Sequence, residues 1–119
     1  MKSPIVFGII LAGLIYPKSA LAETYITKTF RVEIHRHCQE GSVTCDDVSY
    51  VGTNLQTGAG IKLKGSTLHA MCQDGITPCR FLGYEFHNGS YSYRLIDGYL
   101  VISRSGKEVF REKTNITEH

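Results

Sequence analysis

The chain has no excess of charge of one sign once its first 22 residues are set aside. It carries 13 Lys and Arg residues against 11 Asp and Glu residues, and Lys2 and Lys18 fall within those first positions. The remainder is formally neutral, so it lacks the basic stripe that is typical of nucleic-acid-binding proteins. We therefore predict no nucleic-acid partner, and we expect partners to be recognised by shape and local polarity rather than by a long-range field.

The sequence also lacks the short motifs of the common hydrolases. It contains no Gly-x-Ser-x-Gly elbow, no His-Glu-x-x-His pair and no phosphate-binding loop. Asp46 and Asp47 are adjacent, and neighbouring residues of a strand point to opposite faces, which makes them a poor acid–base pair. We therefore predict a protein that is not an enzyme and that holds neither a cofactor nor a metal ion.

Long apolar runs are absent except near the N-terminus. Lys2 precedes the run "IVFGIILAGLIY" at 5–16, and the following "PKSALA" places small residues at Ala20 and Ala22. This run is too short to span a bilayer, which needs about 20 residues, and the A-x-A ending is typical of a signal-peptidase site. The pattern predicts a cleaved signal peptide over 1–22. It also predicts one mature domain over 23–119, without a membrane span, in the periplasm or secreted.

All four cysteines of the chain follow this segment. An even number of cysteines in a small exported chain predicts disulfide bonds. Three pairings are possible, but Cys38 and Cys45 have the same C-x6-C spacing as Cys72 and Cys79. We therefore favour two local bonds, Cys38–Cys45 and Cys72–Cys79, each closing a short loop.

The repeated spacing belongs to a longer internal match. Residues 34–54 align with residues 68–88 without a gap, and seven of the 21 positions are identical. The identical pairs are His35/His69, Cys38/Cys72, Gln39/Gln73, Gly41/Gly75, Cys45/Cys79, Tyr50/Tyr84 and Asn54/Asn88. Two copies are too few for a solenoid array, so we predict a duplicated supersecondary unit, with copies at about 24–65 and 66–112.

The hydrophobic pattern of the unit is that of β-strands. The stretch "TYITKTFRVEIH" has apolar residues at 26, 30, 32 and 34, the period of a half-buried strand. Asn88-Gly89 and Asp97-Gly98 are hairpin signals, and no long helical period is present. We predict an all-β fold, a small antiparallel barrel or half-barrel of seven to eight strands built from the duplicated disulfide-closed hairpin. A two-sheet β-sandwich is the alternative, because both forms limit exposed sheet edges.

The loops "QEGSVT" and "QDGITP" are the best candidates for a binding surface. A loop closed by a disulfide is preorganised and loses little entropy on binding. The candidate binding residues are Gln39, Glu40, Gln73 and Asp74. We therefore predict an exported, non-enzymatic binding protein, an inhibitor or immunity-type protein that recognises another protein in the periplasm or the medium.

The general build of the chain is similar to that of small bacterial periplasmic inhibitors, such as those that block lysozymes. The similarity lies in the export signal, the size, the all-β pattern and the disulfides, and the loop motif of those inhibitors is absent. Two alternative functions follow from other features. One is an envelope structural or assembly factor that pairs through an edge strand, and the other is a small metal-dependent hydrolase that uses His35 and His69.

Overall fold

Nine β-strands make up the part of the chain that the computed structural model describes, residues 22–118. These residues contain no helix, and therefore none that is long and apolar enough to cross a membrane. The predicted signal peptide lies outside the described residues, apart from Ala22. The strands are β1 (Ala22–Ile26), β2 (Phe30–Arg36), β3 (Val48–Asn54), β4 (Gly60–Met71), β5 (Pro78–Asn88), β6 (Tyr91–Ile96), β7 (Tyr99–Arg104), β8 (Lys107–Lys113) and β9 (Asn115–Glu118).

The strands form a single antiparallel sheet in the order β8-β7-β6-β5-β4-β3-β2-β1-β9. From β1 to β8 each strand pairs with the next one in sequence, so these eight strands form a meander. The short β9 then pairs with β1, and only Thr114 separates β9 from β8. The two ends of the sheet are therefore consecutive parts of one C-terminal segment, and the meander curves into a half-barrel.

This architecture confirms the predicted all-β half-barrel of antiparallel strands. The two-sheet sandwich is not formed, because every strand belongs to the same hydrogen-bonded sheet. Side-chain hydrogen bonds also connect the first turn and the last strand of the meander. The carboxylate of Glu112 on β8 accepts the backbone N–H of Thr29 at 3.1 Å and its hydroxyl at 2.7 Å, which ties the turn between β1 and β2 to β8.

Tight turns connect the strands of the C-terminal half. Asp97 and Gly98 have φ of 55° and 80°, and Ser105 and Gly106 have φ of 50° and 84°. Two successive positive φ values are typical of the turn that matches the right-handed twist of hairpin strands. The predicted hairpin turns at Asp97-Gly98 and after Asn88 are present; the second of these places Gly89 and Ser90 between β5 and β6.

Alternate residues of the strands fill the inside of the half-barrel. The largest fully buried side chains are Tyr50, Tyr84, Phe86, Ile34, Leu100, Val32 and Val48. The ring of Tyr50 lies 5.1 Å from that of Phe86 and 5.5 Å from that of Tyr93, centroid to centroid. Aromatic and β-branched pairs at such distances are the units that stabilise a small sheet. The core therefore consists of inward-facing side chains of one curved sheet.

The two copies of the internal match are the hairpins β2–β3 and β4–β5. In the first hairpin, Ile34 lies opposite Tyr50. In the second hairpin, the residue opposite Tyr84 is Thr67, one position earlier than the alignment places it. The two tyrosines are both buried in the core, but their cross-strand partners differ, so the copies are not geometrically equivalent.

The second hairpin also contains irregular pairing that the first hairpin lacks, with register shifts between Leu68 and His69 and between His69 and Met71. Leu68 pairs with Gly83 and His69 with Phe81, which leaves one extra residue on β5. Gly83 has a φ of 152°, and a Cβ atom placed on it would lie 1.9 Å from the backbone oxygen of Leu95. The backbone conformation and the close approach of β6 both require glycine here.

Both disulfides have the local pairing that the repeated spacing favoured, Cys38–Cys45 and Cys72–Cys79. Cys45 lies in the core, whereas Cys79 is exposed. The second bond closes the end of the longest hairpin, whose strands β4 and β5 have 12 and 11 residues. We call its end, residues 71–81, the arm; all of its residues except Cys72 are exposed.

Candidate functional site

The two disulfide loops lie at the same end of the half-barrel, because the β2–β3 and β4–β5 connections of a meander emerge on one side. We call this side, formed by residues 37–47 and the arm, the loop end. The first loop is anchored to the neighbouring strand β4 by two hydrogen bonds. The N–H of Cys45 donates to Oγ1 of Thr67 at 3.0 Å, and the N–H of Thr67 donates to the oxygen of Cys45 at 2.9 Å.

The four predicted binding residues are all exposed on these loops. Asp74 has an additional role, because its Oδ1 accepts the backbone N–H groups of Ile76 and Thr77, each at 2.9 Å, and its Oδ2 accepts the hydroxyl of Thr77. These hydrogen bonds favour the ionised carboxylate, with the hydroxyl of Thr77 contributing most, and lower the pKa of Asp74 to about 2. Asp74 therefore shapes its loop, and Gln39, Glu40 and Gln73 are the better candidates for direct contact with a partner.

The lowered pKa of Asp74 predicts an acid-dependent opening of the second loop. Since the folded-state pKa of about 2 lies below the ordinary value of 3.8, the carboxylate stabilises the loop above about pH 4, and this contribution is lost as the pH falls towards 2. The amide resonance of Thr77, followed by NMR against pH, should shift with a midpoint near 2. Asp74→Asn should remove that transition, and a midpoint at the ordinary value would contradict the assignment.

The loop end also carries apolar side chains that the sequence analysis did not single out. Ile76 is 80% exposed and Val43 is 68% exposed, and Met71 and Phe81 are exposed as well. The signal was available in the sequence, since Val43 and Ile76 are apolar residues inside polar turn segments. Exposed apolar side chains grouped at one end of a small protein are typical of an interaction surface.

A hydrogen-bonded polar network lies on the inner face of the sheet beside the loop end. The hydroxyls of Tyr25 and Tyr84 both donate to Oε1 of Glu23, at 2.7 and 3.1 Å. The hydroxyl of Tyr84 in turn accepts Nε–H of Arg36 at 3.0 Å. We call Glu23, Tyr25, Arg36 and Tyr84 the inner network, because it joins β1, β2 and β5 across the half-barrel.

Burial keeps both tyrosines of the inner network protonated. Desolvation is the largest cause and raises the pKa of Tyr84 to about 12, with the nearby Glu23 acting in the same direction. It also raises the pKa of Tyr25, together with the hydrogen bond to Glu23. Both hydroxyls are therefore donors to a carboxylate at any physiological pH, and they disperse the negative charge of Glu23 while Arg36 supplies the opposite charge nearby.

Two aromatic rings contact the guanidinium of Arg36. Its central carbon lies 5.2 Å from the ring centroid of Phe81 and 5.4 Å from that of Tyr84, within the range of a cation–π contact. The ring of Phe81 also contacts His69 at 5.7 Å between centroids. A cavity of about 170 Å³ opens beside Tyr25 and Phe81, under the turn at Asp97.

Sequence reasoning missed the inner network because its members come from three strands. Arg36 and Tyr84 are 48 positions apart, and Glu23 and Tyr84 are 61 positions apart. One signal could have identified Arg36. It continues the inward alternation of Val32 and Ile34, and a charged residue at an inward position needs a partner.

The matched tyrosines Tyr50 and Tyr84 allow the inner network to be tested. Tyr84→Phe would remove the hydrogen bond that Arg36 donates and one of the two hydroxyl bonds to Glu23, in a half-buried place, and it should lower the free energy of unfolding by about 1–3 kcal/mol. The hydroxyl of Tyr50 is buried and bonds to none of residues 22–118, so Tyr50→Phe should change stability by less than about 0.5 kcal/mol. Urea denaturation of both variants measures the difference, and similar losses would contradict the network.

The two repeated histidines do not converge. His35 alternates with the inward-facing Ile34 and Arg36, and its imidazole lies on the outer face, 3.9 Å from Glu33. His69 continues the inward alternation of Leu63 and Thr67 along β4, so it lies on the inner face, where its Nε2 is 2.9 Å from Oγ1 of Thr67. Side chains on opposite faces of one sheet cannot coordinate the same ion. Among residues 22–118 there is no group of three or more His, Cys, Asp or Glu side chains suited to a metal.

A third histidine forms the one serine–histidine contact among the described side-chain hydrogen bonds. Nε2 of His37 lies 2.7 Å from Oγ of Ser49 on the outer face. No carboxylate within residues 22–118 bonds to its other ring nitrogen, and an activated nucleophile needs a base that a third group orients. This contact therefore lacks the arrangement of a catalytic triad. Comparison of the chain with protein-family models, curated proteins and solved structures finds no match.

Proposed function

We propose that this protein is an exported, non-enzymatic binding protein that captures another protein at its loop end. The observation that carries the proposal is the grouping of two disulfide-closed loops, with exposed apolar side chains, on one side of the half-barrel. Such loops already have their bound conformation before binding. Little of the free energy gained by burying apolar surface is therefore lost to ordering the loops. The polar residues Gln39, Glu40 and Gln73 would surround this apolar centre, as in typical protein interfaces.

Two features support a location outside the cytoplasm. Disulfides persist in the periplasm and in secreted proteins and are rare in the reducing cytoplasm, and the described cysteines are all paired. The N-terminal residues have the pattern of a cleaved export signal. We infer that the protein acts in the periplasm or the medium as an inhibitor or immunity-type protein, with a protein as its partner.

Affinity capture with matched variants tests this function. The exported wild-type protein, immobilised and exposed to the envelope and medium of the cell that makes it, should retain one partner in stoichiometric amount. Ile76→Asp and Val43→Asp should weaken the binding of that isolated partner at least tenfold, because each places a charge in the apolar centre. Val109→Asp, at a comparably exposed site on β8, is the control and should bind as the wild type does.

The control also separates this function from its alternative. Loss of binding with Val109→Asp, but not with the loop variants, would overturn the loop-end proposal and place the contact at the edge strand β8. That result would favour an assembly factor that pairs through a sheet edge. Retention of binding by all three variants would refute both surfaces.

A further inference from the structure

We propose that Arg36 is the receptor for a carboxylate group of the bound polypeptide. This inference deepens the proposed function and rests on it for the source of the ligand. Arg36 is next to His37, where the first disulfide loop begins, and Phe81, whose ring its guanidinium contacts, belongs to the arm. A chain seated on the loop end would therefore reach the guanidinium without any movement of the sheet.

The guanidinium of Arg36 is fixed in place, but only one of its N–H groups donates a hydrogen bond within residues 22–118. Its Nε–H donates to the hydroxyl of Tyr84 at 3.0 Å, and its plane is held near two aromatic rings. Its terminal nitrogens form no hydrogen bond with any residue of the described range 22–118. The edge of the guanidinium that its two terminal nitrogens form carries parallel N–H donors. A carboxylate can accept such a pair with both of its oxygens.

Another arginine of the same molecule has both an aromatic contact and a carboxylate partner. The guanidinium carbon of Arg111 lies 5.2 Å from the ring centroid of Tyr99, the distance that separates Arg36 from Phe81. Nε and Nη2 of Arg111 donate to the two carboxylate oxygens of Glu108, each at 3.0 Å. Arg36 has the aromatic contact, but its Nε–H is bonded to Tyr84, so a carboxylate supplied by the partner would bind the other edge, which its two terminal nitrogens form.

The surroundings of Arg36 favour a ligand that carries a single negative charge. The carboxylate of Glu23 is linked to the guanidinium through one hydroxyl, with hydrogen bonds of 3.1 and 3.0 Å. A dianionic phosphate would be repelled by Glu23 more strongly than a monoanion. The exposed ring of Phe81 adds an apolar surface beside the charge. The site therefore fits a carboxylate that is attached to an apolar group.

Small probes test the site without any knowledge of the partner. N-acetylphenylalanine carries a C-terminal carboxylate, the α-amide of N-acetylglutamic acid carries a side-chain carboxylate, and N-acetylphenylalaninamide is the uncharged control. The Nε–H resonance of Arg36 and the amide resonance of Phe81 should shift saturably with one or both acids. The amide and inorganic phosphate should bind at least tenfold more weakly. Equal binding of the amide, preferential binding of phosphate, or no binding of either acid would overturn the proposal.

Variants of two arginines separate the receptor from its structural role. Arg36→Lys keeps the positive charge but loses the forked donors, and it should weaken binding of the acids at least tenfold, read from the amide resonance of Phe81. Arg104→Lys is the matched control, since Arg104 also lies over an aromatic ring, that of Tyr91 at 5.7 Å, at the opposite end of the half-barrel. Unchanged binding by Arg36→Lys, in a protein whose thermal unfolding is that of the wild type, would refute the receptor.

The two proposals can fail separately. If the acids bind at Arg36 but no partner is captured, the site stands and the protein-binding function fails. If a partner is captured with equal affinity by the wild type and by Arg36→Lys, the function stands and the carboxylate receptor is wrong.

Discussion

Gly83→Ala is expected to lower the free energy of unfolding by at least about 3 kcal/mol, the largest effect of any single substitution considered. Two causes add. The φ of 152° lies in a region that is essentially restricted to glycine, and the new Cβ would lie 1.9 Å from the backbone oxygen of Leu95. Because the clash is with backbone rather than with a side chain, it can be relieved only by moving β5 away from β6.

Gly89→Ala provides the control for this prediction. Gly89 also has a positive φ, 63°, but a Cβ atom there would meet nothing within 4 Å. The conformational strain alone should cost about 1 kcal/mol. Urea denaturation of the two variants measures both losses, and a loss for Gly83→Ala no greater than that for Gly89→Ala would show that β6 does not approach as closely as described.

The second large effect is expected from removal of the Cys38–Cys45 bond. A disulfide that closes a loop of this length contributes about 2.5 kcal/mol by restricting the unfolded chain. The sulfur of Cys45 is also part of the core, with only 3% of the residue exposed, so Cys38→Ala with Cys45→Ala loses packing as well. We expect a total loss of about 3–4 kcal/mol.

The same pair of substitutions at Cys72 and Cys79 should have a smaller effect. These residues belong to the exposed arm, which can fray while the rest of the sheet stays folded, and this limits the loss of global stability. We expect at most about 2.5 kcal/mol. Thermal and urea unfolding of the two double variants gives the comparison. A larger loss at the arm would mean that its closure, rather than that of the first loop, stabilises the core.

Sequence reasoning succeeded where the information is local. The alternation that ends in Val32 and Ile34 identified an inward face, and Asp97-Gly98 identified a turn, because both patterns depend on neighbouring residues. The disulfide pairing was also predictable, since the equal spacing in the two copies favoured local bonds. The antiparallel half-barrel followed from many short strands with glycine turns between them.

The parts that sequence reasoning missed depend on register and on contacts between distant strands. The alignment of the two copies placed His69 as the counterpart of His35, but the one-residue difference in strand pairing between the two hairpins places these side chains on opposite faces. The hydrogen bonds of Tyr84 with Glu23 and Arg36 need three strands to be placed correctly at once. A one-residue change of register decides such contacts, and no local pattern reports it.

The pairing of β9 with β1 has a consequence for how the molecule folds. Every other ladder joins strands that are consecutive in the chain, so each of those hairpins can form as soon as its own residues meet. The β1–β9 ladder instead brings together the two extremes of the described chain, and the entropy of closing so long a loop must be overcome first. During refolding, we therefore expect the amide protons that this ladder protects from exchange to be the last to become protected.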